Sequence, residues 1–335
     1  MNNPAAMAST TMRAARWYGR RDLRVEEVAV PVPAAGQVLV EVERVGLCGT
    51  DLEEYLDGPI DARPPVILGH EIIGRVAECP GGELAVGTRV VPDVVAGCGT
   101  CWWCLRHQPG LCPQLAVLGL QRDGGLAEYM LAEATTCVVI PDDLSPNVAV
   151  FAEPAAVAVR ALRKAGDLTG ARIAVVGLGT IGNLVVQLAA ASGAVEVHGI
   201  DPSPDRRALA ARANFVTAPG LVGQYDVVVE CAGTQAAVTS ALELTRPGGT
   251  VVLVGTGAEQ LQFPVRDVVL REKRILGSAA HVWDEDVAAA VALLAREVLE
   301  PKPLVSKVID LDSVVAEGLD ALASDPELLK IIVAP

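Results

Sequence analysis

The sequence predicts a two-part α/β chain, one part antiparallel and β-rich, the other a doubly wound parallel sheet. Three observations predict it. From Asp22 to Cys79 apolar and polar residues alternate between Pro and Gly punctuation. From Ala171 short apolar runs instead alternate with helical stretches. At the first strand-to-helix junction of that second pattern lies Gly177-Leu178-Gly179-Thr180-Ile181-Gly182, whose spacing suits a dinucleotide-binding turn. A chain of 335 residues is too long for one small core and suits two domains.

Residues 1–11, MNNPAAMASTT, are small and polar, with neither the basic nor the apolar region of a secretory signal. They read as a disordered extension before Met12. In Gln37 to Val45, Val38, Val40 and Val42 share one face and Glu41 and Glu43 the other, the period of a half-buried strand. Such strands, separated by Pro31, Pro33 and Gly36, imply a barrel-like antiparallel domain.

The stretch Gly46 to Glu71 places Cys48 at one end of a turn-rich loop and His70-Glu71 at the other. A thiolate, an imidazole and a carboxylate can converge on one zinc ion, and a mixed set suits a site with an open position. Asp51 can fix the tautomer of a metal-bound histidine from behind. From the residues alone, Cys48 can equally be a small buried hydrophobe and His70 a core histidine bonded to a neighbour.

Cys98, Cys101, Cys104 and Cys112 form C-x2-C-x2-C-x7-C. Four thiolates in one short loop complete a tetrahedral zinc, whereas disulfides would force cysteines three apart into strained rings. Metal-type spacing points to reduced thiols and a cytoplasmic protein. Trp102 and Trp103 either cover this lobe or meet another subunit.

Composition excludes two classes of function. With 27 basic and 41 acidic residues the formal charge is −14, which repels nucleic acid. No apolar run reaches the roughly 20 residues of a membrane helix.

Val148 to Gly166 reads as a helix in which Glu153-Pro154 suits the first turn. Arg172 to Val176 is a strand, Gly182 to about Ser192 lies in a helix, and Val195 to Ile200 is a second strand ending at Asp201. The glycines allow a pyrophosphate to approach the helix N-terminus. Asp201 would accept from the adenine ribose hydroxyls and repel a 2′-phosphate, favouring NAD. Arg206 works against that preference, or lies against the adenine. Strands at Asp226 to Glu230, Thr250 to Val254 and Arg274 to Leu276 follow, with a helix from Gln235 to Thr245. Cys231 and Gly255, just past strand ends, are candidate nicotinamide contacts. Asp284 to Leu299 reads as a helix, and another starts near Asp312.

Cys48-Gly49-Thr50-Asp51 followed by Gly69-His70-Glu71 resembles the zinc-dependent medium-chain dehydrogenases and reductases, the alcohol and polyol dehydrogenases, over nearly all the chain after Met12. The resemblance implies a GroES-like catalytic domain over residues 12–160 and 299–335, with a Rossmann NAD-binding domain over 161–298. It implies two zinc ions per chain: a catalytic one on Cys48 and His70 with Glu71 or Glu153 supplying a carboxylate, and a non-catalytic one in the four-cysteine lobe. It gives Thr50 the proton of the reacting hydroxyl, and places His281 and Trp283 where a substrate cleft receives them. Where relatives often carry a relay histidine, this chain has Glu53. Between Ala211 and Asp226 it is shorter than the family usually is.

The resemblance to butanediol, sorbitol and threonine dehydrogenases implies NAD-linked oxidation of a vicinal diol, polyol or cyclitol to the ketone. The alternatives are a reductase of a biosynthetic carbonyl or iminium, and a non-catalytic zinc- and nucleotide-binding protein. A small-molecule alcohol partner and a homodimer or homotetramer are expected.

Overall fold

The computed structural model describes residues 10–211, 216–218, 223–257 and 260–335. The proposed extension lies outside them except for its last two residues, and Thr11 already begins the first strand, Thr11–Gly19. The chain divides into two compact units, one of residues 1–151 with 305–335 and the other of residues 152–304.

The first unit is built on antiparallel pairing. Gln37–Gly46 lies between Glu71–Glu78 and Lys330–Ala334, and its first half also pairs with Tyr129–Glu133. One departure from the alternating pattern is that Leu39 is as fully buried as Val38 and Val40, at the point where the pairing with Glu71–Glu78 shifts register. Glu43, on the more open face, grips the buried Arg89 through Nε and Nη2 at 3.1 and 2.9 Å. The C-terminal strand Lys330–Ala334 closes onto Gly46 and Val45, so residues nearly 290 positions apart share one sheet. A separate sheet pairs Thr11–Gly19 with Asp22–Ala29 and Val66–Ile67.

The second unit carries a parallel sheet ordered Val216–Ala218, Glu196–Ile200, Arg172–Val176, Tyr225–Glu230, Thr245–Leu253, Arg274–Gly277. Numbered along the chain this is 3-2-1-4-5-6, the doubly wound dinucleotide-binding order. Its central strands carry apolar runs, Ile173 to Val176, Val227 to Val229 and Val251 to Leu253, as expected of strands covered by helices. On one face Ala174, Val176, Ile200, Val228 and Val251 meet Val238, Ala241 and Leu242 of the helix Gln235–Leu244. The expected helix from Asp284 is a π-helical turn, Trp283–Val287, leading into Ala288–Ala295. The helix expected near Asp312 is a series of short turns, Leu311–Ser313, Val314–Leu319 and Asp320–Ser324. The short segment after Ala211 lies largely outside the described residues.

Candidate zinc centre and dinucleotide turn

In the first unit a helix, Gly49–Asp57, starts immediately after Cys48. Asp51, in its first turn, is fully buried and serves two segments at once. Oδ2 accepts from the Cys48 backbone N–H at 2.9 Å and Oδ1 from the Gly69 N–H at 3.1 Å. The same Oδ1 lies 3.5 Å from His70 Nδ1. Gly69 adopts φ +90°, and a Cβ there would come within 2.9 Å of Val45 and Leu126, so glycine delivers His70 to this place. Burial works against a charged Asp51, but His70 and the two N–H donors outweigh it and hold the carboxyl below its ordinary value. Burial likewise disfavours a charged His70. The Asp51 carboxylate and the Cys48 thiol beside it nevertheless hold the imidazole well above 6.5. Thr50 Oγ1 lies 3.9 Å from Cys48 Sγ.

The structure thus brings together Cys48, Thr50, Asp51 and His70, but turns Glu71 elsewhere. Adjacent residues entering an extended strand point to opposite faces. Both Glu71 oxygens lie 2.6 Å from Lys330 Nζ, which also donates to the Leu47 carbonyl at 3.0 Å. Glu71 and Lys330 are 1% and 3% exposed, so this is a buried ion pair. Of the two acids expected beside Cys48 and His70, Glu71 or Glu153, Glu71 is thus held by Lys330. Lys330 carries no motif that sequence reasoning could use; its role follows from the closure of the C-terminal strand. Glu54, also buried, was likewise missed, and accepts from the Ile60, Asp61 and Ala62 N–H groups at 2.6–2.9 Å. Glu53 is exposed on the helix, its carboxyl raised by partial burial and then by Glu54, Asp57 and Asp61.

The four-cysteine lobe converges by itself. The Sγ atoms of Cys98, Cys101, Cys104 and Cys112 all lie within 4.8 Å of one another and form no disulfide. Cys101 Sγ is 3.5 Å from that of Cys104 and 3.8 Å from that of Cys112. A tetrahedron of zinc–sulfur bonds of about 2.3 Å has edges of about 3.8 Å, so the spacing fits the ion. Backbone N–H groups of Cys98, Cys101, Cys104 and Gln114 point at the sulfurs at 3.3–3.5 Å, which favours thiolates. The Thr100 N–H and hydroxyl, with the backbone N–H of Cys101, hold Cys98 at about 6, while burial and the neighbouring thiols push Cys104 to about 11. Trp102 leaves 56% of its surface exposed, edge-on to Trp103 and under the Arg106 guanidinium at 3.8 Å.

In the second unit the helix Thr180–Ala191 begins at the glycine turn. A Cβ on Gly182 would lie 1.8 Å from the Gly177 carbonyl, which is why the third glycine cannot change. Asp201 holds the turn: Oδ2 accepts from the Leu178 N–H at 2.8 Å and Oδ1 from the Ser203 N–H at 2.9 Å. Arg206 Nη1 lies 3.8 Å from Asp201 Oδ2. Asn183, missed from the sequence, donates to the Leu178 and Gly179 carbonyls at 2.6 and 3.1 Å. Glu230, also missed, accepts from the Ala232 and Gly233 N–H groups at 2.7 and 2.8 Å, shaping the turn that holds Cys231. Gly255 follows the next strand, its N–H donating to the Glu230 carbonyl at 3.2 Å.

Glu153 occupies the first turn of Ala152–Ala165, with its Oε1 3.3 Å from His281 Nε2. Asp286 fixes the His281 segment: it accepts from the Val282 N–H at 2.9 Å and pairs with Arg160 and Arg163 at 3.2 and 2.5 Å. Trp283 starts the π-helical turn, partly buried.

Residues 34–142 match the alcohol dehydrogenase GroES-like domain and residues 180–296 match the zinc-binding dehydrogenase domain. The chain belongs to the zinc-binding dehydrogenases. It is 31% identical to (R,R)-butanediol dehydrogenase of Bacillus subtilis over 97% of this chain and 100% of that one. It is 32% identical to L-idonate 5-dehydrogenase (NAD(P)(+)) of Escherichia coli over 86% and 89%. The solved structure of that Escherichia coli enzyme superposes with a TM-score of 0.90, at 30% identity over 97% and 98% of the chains. A Sinorhizobium meliloti 1021 protein bound to NADP gives 0.89, at 32% identity over 98% and 100%. The chain is therefore an oxidoreductase of the alcohol and polyol dehydrogenase kind, with the GroES-like and Rossmann folds of this family. No helix among the described residues is long and apolar enough to cross a membrane.

Proposed function

We propose that this zinc-binding dehydrogenase oxidises a secondary alcohol flanked by a second polar group, a vicinal diol, polyol or cyclitol, to the ketone, with NAD as hydride acceptor. The observation that carries the proposal is Asp51, which ties Cys48 to the Gly69-His70 segment and backs the imidazole. Cys48 and His70 would hold the catalytic zinc, with the carboxylate that the family resemblance assigns to Glu71 or Glu153; the Glu71 ion pair with Lys330 weighs against Glu71.

Zinc, when bound, acts as a Lewis acid that makes the substrate hydroxyl easier to deprotonate. Asp51 holds His70 in one tautomer, leaving Nε2 as its ligand atom. The Thr50 hydroxyl receives the substrate proton. Glu53 is the acceptor at the end of the relay, and its raised carboxyl is the better base for it. The turn Gly177 to Gly182 takes the pyrophosphate. Thr180 and Ile181 offer backbone N–H groups there, and Asp201 takes the ribose hydroxyls, which disfavours a 2′-phosphate. Cys231 and Gly255 border the nicotinamide. The substrate class is supported by relatives named for butanediol, idonate and sorbitol.

The same reading gives a cytoplasmic enzyme, in keeping with its free cysteines, and a homodimer or homotetramer; a monomer by light scattering overturns the latter. The test is NAD and NADP reduction by zinc-loaded protein against butanediol, sorbitol, idonate and inositol. Turnover of one of these classes with NAD supports the proposal. Turnover of simple primary alcohols alone, or with NADP alone, contradicts it.

A further inference from the structure

The first unit contains a cavity of about 220 Å³ that none of Cys48, Thr50, His70 or the lobe cysteines lines. Its apolar wall includes Met12, Ile67, Leu118 and Met130, and two guanidinium groups, Arg16 and Arg122, line it as well. Met12 and Arg16 are four apart on one strand and therefore share a face.

Both arginines are loosely held. Arg16 Nη1 lies 3.5 Å from Glu26 Oε1, and Arg122 Nη2 lies 3.6 Å from Glu133 Oε1. A close charge-assisted bond is about 2.7–2.9 Å. Arg16 Nε is buried with no hydrogen-bond partner among the described residues, so it is the terminal nitrogens that can serve the cavity. The acid that lines the cavity, Asp123, gives Oδ1 to the Ile67 N–H at 2.9 Å. Neither Glu26 nor Glu133 lines it. In a chain of formal charge −14, this is a pocket with donors to spare over an apolar wall.

We propose that this cavity is a binding site for a small monocarboxylate with a compact apolar body, about the size of benzoate. A dry cavity of about 150 Å³ takes benzene, so the observed volume accommodates a ring together with its carboxylate. The planar guanidinium fork matches a carboxylate, and the Met12 and Met130 side chains are adaptable partners for the ring.

The experiment is calorimetric titration of the full, zinc-loaded chain with benzoate, benzamide, benzylamine and inorganic phosphate, repeated with Arg16→Gln, Arg122→Gln and Cys48→Ala. Charge-assisted recognition predicts that benzoate binds at least about tenfold tighter than neutral benzamide, and that each arginine variant loses about tenfold. Binding should survive in Cys48→Ala. The proposal is overturned by no binding at about 10 mM, where less than about 3 kcal/mol of binding free energy would remain. It is also overturned by equal binding of benzamide or phosphate, by tighter binding of benzylamine, or by binding lost in Cys48→Ala and kept in both arginine variants. Arg122 is 39% exposed at its side chain, so its variant tests the site even if Arg16→Gln fails to fold.

Discussion

The lobe and the proposed Cys48–His70 centre lie in the same unit, and a zinc ion is proposed for each, yet they are built in opposite ways. The lobe draws four sulfurs from fifteen consecutive residues, and its own backbone N–H groups point at them. The centre draws Cys48 from a helix start and His70 from a strand start. It depends on supports that ligate nothing: Asp51 between the two segments and Lys330 from the far end of the chain. A local ligand set carries its scaffold with it. An assembled one depends on the fold, and in return can leave a coordination position open.

The largest difference should appear on cutting a ligand from each. Structural zinc binding in small domains is worth about 10–16 kcal/mol, so Cys101→Ser should release the lobe zinc and lower the unfolding temperature sharply. Cys48→Ala should abolish turnover and shift that temperature far less. Differential scanning calorimetry with metal analysis distinguishes them, and equal thermal shifts would erase the comparison.

Next in size is the buried ion pair. Lys330→Met leaves Glu71 without its partner in a buried place and should cost about 3–5 kcal/mol in denaturant unfolding. The double variant Lys330→Met with Glu71→Leu should recover most of that loss. A double variant as unstable as the single one would show that packing, not charge, dominates there.

A smaller effect is expected of Asp51→Asn, which keeps the shape of the side chain but removes its charge. Loss of such a support typically costs about 10–100-fold in metal affinity or activity. Competition with a chelator should show weakened binding of one zinc and unchanged retention of the other. Weakening of both would remove the local character assigned to the lobe.

The smallest effect is a control remote from either centre in sequence. Asp226 in the second unit is held below its ordinary value of 3.8, first by the Arg172 N–H and then by Arg246. Its contribution to stability is full above that ordinary value and fades as pH falls through the folded one. Asp226→Asn should therefore lose stability near neutrality and show a shallower acid limb, with both zincs retained.

Sequence made the local features legible. The cysteine spacing led to the lobe, and the glycine spacing with Asp201 led to the dinucleotide turn, because each is set by neighbours in the chain. Cys48, Asp51 and His70 were readable as chemistry. What was not readable was which face of the strand Glu71 would take, since that depends on Lys330, 259 residues later. Asn183, Glu230 and Asp286 escaped as well. Asn183 and Glu230 bond backbone groups only two to five residues away in turns that no periodic pattern marks, and Asp286 reaches Arg160 and Arg163 more than 120 residues back. The burial of Leu39 falls where the pairing with Glu71–Glu78 shifts register, which alternation does not report.

The most direct test of the account is the number of zinc ions per folded chain, by metal analysis, in the unaltered protein and in His70→Ala. Two ions falling to one, with the cysteine lobe still loaded, is the result predicted here. One ion in the unaltered protein, or two retained in His70→Ala, would contradict a second zinc centre built on Cys48 and His70.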